Sequence, residues 1–152
     1  MSGGRVDALA SPVYLDASAL VKLFVPEAES DRLNQSLAGL DDVIVSDLTL
    51  TELASAVSRR AREGRLSSAA ARRLYRNAQA LASSCRAAEL TPDAHRLAER
   101  LLLTSPAGLR SLDALHLALA LANGTATLVS YDERLRDAAS TQGLFVAPDT
   151  LA

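Results

Sequence analysis

Four acidic residues stand where a solvated acid does not belong. Asp16 lies in YLDAS, Glu52 in LTLTELASAV, Asp113 in SLDALHLAL and Asp132 in LVSYDERL, each among apolar neighbours. If the four side chains meet, they repel: two carboxylates about 4 Å apart cost about 4 kcal/mol at an effective dielectric of about 20. Such a cluster needs a cation or raised pKa values. There is one cysteine, Cys85, and the two histidines make no fitting pair. The donor set is therefore all oxygen and suits a hard divalent ion such as Mg²⁺ or Mn²⁺. Such an ion, singly or paired, holds a phosphodiester and generates the attacking hydroxide.

Each acid has a plainer role open to it. Asp16 and Asp132 can cap helices, Asp113 can complement a helix dipole two residues after a Ser111 cap, and Glu52 can be a locally bonded, partly buried residue. Their conjunction is what points to a site. Asp16 and Asp132 directly follow apolar runs that read as strands, and strand ends line the ligand crevice of an open parallel sheet. Glu52 falls one to two turns into the helix after a third such run.

The elements that must position these acids are short strands alternating with amphipathic helices. Strands are predicted at 13–15, 43–46, 87–90, 127–130 and 144–147, and helices at 17–24, 27–39, 47–63, 67–84, 92–103, 111–122 and 132–141. Asp47 and Asp132 can start helices, Pro92 follows Thr91 at a first turn, and Gly64, Gly124 and Gly143 sit where helices stop. The pair 47–63 and 67–84 reads as a helical hairpin. Near-continuous apolar strands between helices predict a parallel sheet covered on both faces. A chain of 152 residues, 49% apolar, suffices for one such domain. The expected organisation is a flexible tail over 1–12 and one α/β domain over 13–152.

Composition narrows the class further. A lone cysteine excludes an intrachain disulfide framework and a multi-cysteine metal site, and fits a reducing compartment. The run ALHLALALA (114–122) is too short to span a bilayer, and MSGGRVDALASP is no signal peptide, so a soluble, cytoplasmic protein is expected. The net charge is −2, and of sixteen basic residues only Lys22 is lysine.

Together, VYLDASALVKLF, SDLTLTELASAV, SLDALHLALALA and LVSYDERLRDAA resemble the PIN-domain ribonucleases, particularly the VapC-type toxins of bacterial toxin–antitoxin systems. The resemblance spans about 13–147. It implies a five-stranded parallel sheet of order 3-2-1-4-5 flanked by helices, which sets the ends of strands one and four side by side. It places Asp16, Glu52, Asp113 and Asp132 as metal-binding and catalytic acids, with Ser18 and Ser130 as supporting hydroxyls that orient a carboxylate or water. It further implies a Mg²⁺- or Mn²⁺-dependent endoribonuclease, an RNA substrate, a VapB-like antitoxin and a homodimer. A catalytically silent PIN-like module that binds protein is the alternative. Asp47 departs from the family pattern, where a small neutral cap is usual, and reads as structural.

The remaining polar signals are weaker. His116, three residues after Asp113 in an apolar helix, is expected in a hydrogen-bonded packing role, and His95 at the surface. Arg59, Arg62 and Arg65, with Arg60, open the basic run 59–76, which either tracks an RNA backbone or forms a solvated face. Two other enzyme classes fail on particular residues. A haloacid-dehalogenase-type phosphatase needs a second Asp where Ser18 stands, and a phospho-receiver domain needs a lysine after its last strand.

Overall fold

In the computed structural model, residues 8–105 and 108–151 are described. Five strands, β1 (Val13–Leu15), β2 (Val43–Ser46), β3 (Arg86–Ala88), β4 (Thr127–Val129) and β5 (Phe145–Ala147), pair in the order β3-β2-β1-β4-β5, every pairing parallel. The order is the one the resemblance implied. The connecting helices are α1 (Ala17–Phe24), α2 (Ser30–Leu37), α3 (Asp47–Arg62), α4 (Ser68–Ser83), α5 (Pro92–Thr104), α6 (Ser111–Ala122) and α7 (Glu133–Thr141).

Strand alternation divides the core in two. Tyr14, Ile44, Ala88 and Leu128 face one way and pack with Ala98, Leu117 and Leu135 of α5, α6 and α7. Val13, Leu15, Val45 and Val129 face the other way, against Leu20, Leu53, Val57 and Leu74 of α1, α3 and α4. Successive strand side chains point to opposite faces, so three residues of β1 suffice to feed both layers. Burying a side chain of this size contributes about 1.5–3 kcal/mol.

Several boundaries differ from expectation for local reasons. The second helix begins at Ser30 rather than at 27, because Ser30 Oγ closes a turn by accepting from Glu27 N at 2.9 Å and donating to Val25 O at 3.1 Å. The third strand starts at Arg86, whose guanidinium bonds the Asp42 carboxylate at the sheet edge. Helix α3 is capped by the Ser46 side chain and not by Asp47, and α6 starts at Ser111 after Arg110, with no side-chain capping bond. The α3–α4 hairpin turns through Gly64, whose φ of +74° suits a residue without Cβ.

Of the segment 1–12, residues 1–7 lie outside the described residues. The remainder is bonded to β4: Ala10 O accepts from Thr127 Oγ1 at 2.7 Å, and Pro12 O accepts from Ala126 N and Thr127 N.

Candidate active site

The central pair of strands sets the first acid. Leu15 of β1 is level with Val129 of β4, and Asp16 N donates to Val129 O at 3.3 Å. Asp16 and Ser130 therefore leave the sheet side by side, at the strand ends where the order reverses. Asp16 is only 4% exposed and caps α1, its Oδ1 accepting from Ala19 N at 2.9 Å and from Ser18 Oγ at 2.6 Å. Its other oxygen accepts from Ser130 Oγ at 2.5 Å. Burial pushes its pKa upward, against the hydrogen bonds from Ser130, Ser18 and Ala19.

The two serines also hold the segment after β4. Ser18 Oγ accepts from Tyr131 N at 2.9 Å, and Ser130 Oγ accepts from Asp132 N at 3.0 Å. Each hydroxyl thus donates to Asp16 and accepts from the chain that leads to Asp132. Asp132 is exposed and uses Oδ1 to cap α7, accepting from Arg134 N at 2.9 Å and Leu135 N at 3.4 Å.

Asp113 enters from the first turn of α6 and is buried. Its Oδ2 has no hydrogen-bond partner. Burial raises its pKa, and the negative charge of Asp132 raises it further. A buried oxygen of a carboxylate without a partner costs free energy unless something supplies the missing charge.

Glu52 arrives from the second turn of α3, its side chain 29% exposed. Its Oε1 is bonded to His116 Nε2, and His116 is itself buried in α6. Behind the imidazole, Nδ1 lies 2.7 Å from the hydroxyl of Tyr14, which also meets Ser46 Oγ at 2.8 Å. Ser46 donates to Thr49 Oγ1, and Thr49 donates to Leu15 O. This chain of bonds through the core was not legible from motifs. The available signals were His116 one turn from Asp113 and a tyrosine in a fully buried strand, whose hydroxyl needs a partner.

The donor chemistry fits a hard divalent cation: oxygen carboxylates, two of them desolvated, one with an orphaned oxygen. Among the described residues, however, no group of three or more Asp, Glu, His or Cys side chains is placed to hold a metal ion. Asp16 and Glu52 are engaged by Ser18, Ser130 and His116 instead.

The other expected residues take different places. Asp47 accepts from Leu90 N at 3.1 Å, tying the end of β3 to the start of α3, a structural role. Arg60 pairs with Glu27 at 3.8 Å and Arg65 with Glu63 at 3.5 Å, while Arg59 and Arg62 are exposed. Lys22 belongs to α1, after the first strand, where it lies over the Tyr131 ring and pairs with Glu27 and Glu29.

Comparison with known proteins gives a consistent answer. The PIN domain family matches residues 13–140. Ribonuclease VapC46 of Mycobacterium tuberculosis (strain ATCC 25618 / H37Rv) is 38% identical over 136 residues, covering 88% of this chain and 95% of that protein. The crystal structure of PAE2754 from Pyrobaculum aerophilum superposes with a TM-score of 0.64 at 27% identity, covering 92% of each chain. VapBC2 from Rickettsia felis, bound to a DNA fragment from its promoter, shares the fold with a TM-score of 0.62 at 16% identity, over 88% of this chain and 96% of that one.

Proposed function

The chain belongs to the PIN-domain family and is a VapC-type ribonuclease, and on that premise we propose that Asp16, Glu52, Asp113 and Asp132 form its divalent-metal and catalytic site. It is a nuclease of the hydrolase class and the toxin of a toxin–antitoxin pair. The observation that carries the site assignment is the buried, partnerless Oδ2 of Asp113 beside the charge of Asp132.

Asp16, Glu52, Asp113 and Asp132 would hold a divalent ion such as Mg²⁺ or Mn²⁺, which would supply polarisation of the phosphate and a lowered pKa for the attacking water. The chain's own residues supply the positioning. Ser18 and Ser130 lock both oxygens of Asp16 against the end of β4, so this carboxylate is placed before substrate arrives. Asp113 and Asp132 contribute the negative charge that draws the cation. Hydrolysis joins the water oxygen to phosphorus, breaks the bond to one ribose oxygen and leaves a proton on that oxygen.

Exposed Arg59, Arg62 and Arg65 are proposed to meet the RNA backbone outside the four acids, since arginine binds phosphate in a fixed fork. The partners proposed are a VapB-like antitoxin, in line with the assembly named for the Rickettsia structure, and a second copy of the chain. A cytoplasmic location is proposed to match an RNA substrate. Among the described residues no helix is long and apolar enough to cross a membrane.

The test is cleavage of structured RNA by purified, antitoxin-free protein with Mn²⁺ or Mg²⁺, against EDTA and Asp16→Asn controls. Cleavage lost in both controls is expected. Cleavage that survives both removes the four acids from the chemistry.

A further inference from the structure

Resting on that assignment of the four acids, we propose that His116, braced by Tyr14, is a positioning residue that fixes the carboxylate of Glu52 at the active site. Glu52 is the one member of the set that stands on a long side chain at a part-exposed position, where water alone could solvate it. Packing does not require it to be held, yet a buried imidazole reaches it from another helix, 64 residues away in sequence. Ordering a glutamate side chain costs rotamer freedom, so the bond must be pre-formed by something rigid to be useful.

The rigidity is visible. His116 is 3% exposed and Tyr14 fully buried, with their rings edge to face at 5.8 Å between centroids and 76° between planes. Ser46 gives its hydroxyl proton to Thr49, so the single proton of the Tyr14 hydroxyl goes to Ser46 Oγ and Tyr14 accepts from His116 Nδ1. Ser46 is the N-cap of α3, the helix that carries Glu52. The bonds therefore close a ring: from Glu52 to α6 through His116, to the central strand through Tyr14, and back to the start of α3 through Ser46. The ring fixes the position of Glu52 at both its helix origin and its carboxylate. His116 does not touch substrate in this arrangement; it acts through Glu52, as outer partners of metal-binding groups do.

Two isosteres separate this role from plain core packing. In His116→Gln the amide nitrogen falls near the lost Nε2 and keeps a donor for Glu52. In His116→Asn it falls near Nδ1 and keeps only the Tyr14 side. Mn²⁺ affinity, read from the free-ion electron paramagnetic resonance signal, and kcat on structured RNA are measured beside the metal-free Tm.

Losing an outer-shell partner costs about 10–100-fold in metal affinity or activity. That loss is expected for His116→Asn and a clearly smaller one for His116→Gln, although each variant leaves one end of the relay unmade and lowers Tm. Tyr14→Phe, which keeps the ring and removes only the hydroxyl, is expected to weaken Mn²⁺ binding mildly. In a Glu52→Gln background, His116→Asn is expected to cost no further affinity.

The inference is overturned if wild type binds Mn²⁺ and cleaves RNA while both His116 variants match it, or if the Asn variant outperforms the Gln variant. Should either His116 variant fail to fold, an unchanged Mn²⁺ affinity in Tyr14→Phe overturns it instead. Wild-type protein that neither binds Mn²⁺ nor cleaves removes the four-acid assignment first, and this inference with it.

Discussion

Two regions carry like charges, the acids proposed for the active site and the arginines of the α3–α4 hairpin, and they are held by opposite means. Asp16 is buried and bonded to Ser130, 114 residues away, while the neighbouring Ser18 bonds the backbone of Tyr131. Arg65 instead reaches Glu63, two residues away, with both side chains about half exposed (58% and 49%). Exposed pairs of that kind contribute about 0–1 kcal/mol and break at little cost. A desolvated carboxylate is costly to keep, so elements far apart in sequence that converge on it mark a site. Charge density alone does not distinguish the two regions; burial and the origin of the partners do.

The largest expected effect lies at the acids. Asp16→Asn or Asp113→Asn is expected to cut the cleavage rate at least about 10²-fold, the scale for losing one preorganised electrostatic group. A residual rate near wild type in either variant would place the chemistry elsewhere.

Next comes Ser130→Ala, which strips Asp16 Oδ2 of its donor and Asp132 N of its acceptor. It is expected to lower stability by about 1–3 kcal/mol and activity by about 10–100-fold. Denaturant melts and single-turnover cleavage read the two effects separately. Unchanged values in both would mean that the serine does not position the acid.

A subtler effect concerns the metal-free protein. Burial and Asp132 hold the Asp113 carboxyl above its ordinary range, so its ionised form carries the penalty. That penalty is absent below the unfolded value of about 3.9 and complete once pH exceeds the raised folded value. Metal-free Asp113→Asn is therefore expected to match wild type near the lower limit and to gain Tm over it as pH rises. A gain that shrinks with rising pH contradicts this sign.

The smallest effect belongs to the hairpin. Replacing Arg59, Arg62 and Arg65 together by Ala is expected to shift stability by only about 0.5 kcal/mol per site. It is also expected to raise KM for RNA and flatten its salt dependence, by about 0.7 in slope for each single-strand phosphate no longer neutralised. An unchanged salt slope would reduce the run to a solvated face.

Much of the fold was legible in the chain itself. Short β-branched or apolar runs, capping residues and helix-ending glycines gave all five strands and all seven helices, with errors only at edges such as the start of α2. Those errors arose where a side chain, Ser30 Oγ, satisfied backbone groups that a helix would otherwise have claimed. The four candidate acids stood out because each interrupts an apolar run. Their supporting serines were named through the family resemblance, and the structure shows both bonded to Asp16. His116 was expected in a hydrogen-bonded packing role; its burial agrees, but its bond to Glu52 was not foreseen.

Local periodicity determined the elements, and the residue types determined which chemistry they could serve, because both depend on near neighbours along the chain. Which carboxylate is buried, that Ser130 meets the second oxygen of Asp16, and that Tyr14 and His116 stand behind Glu52 were decided only by tertiary packing. Those bonds join residues 64 to 114 positions apart. No spacing along the chain encodes them; they exist because parallel pairing sets β1 level with β4 and packs α6 against the tyrosine face of the sheet.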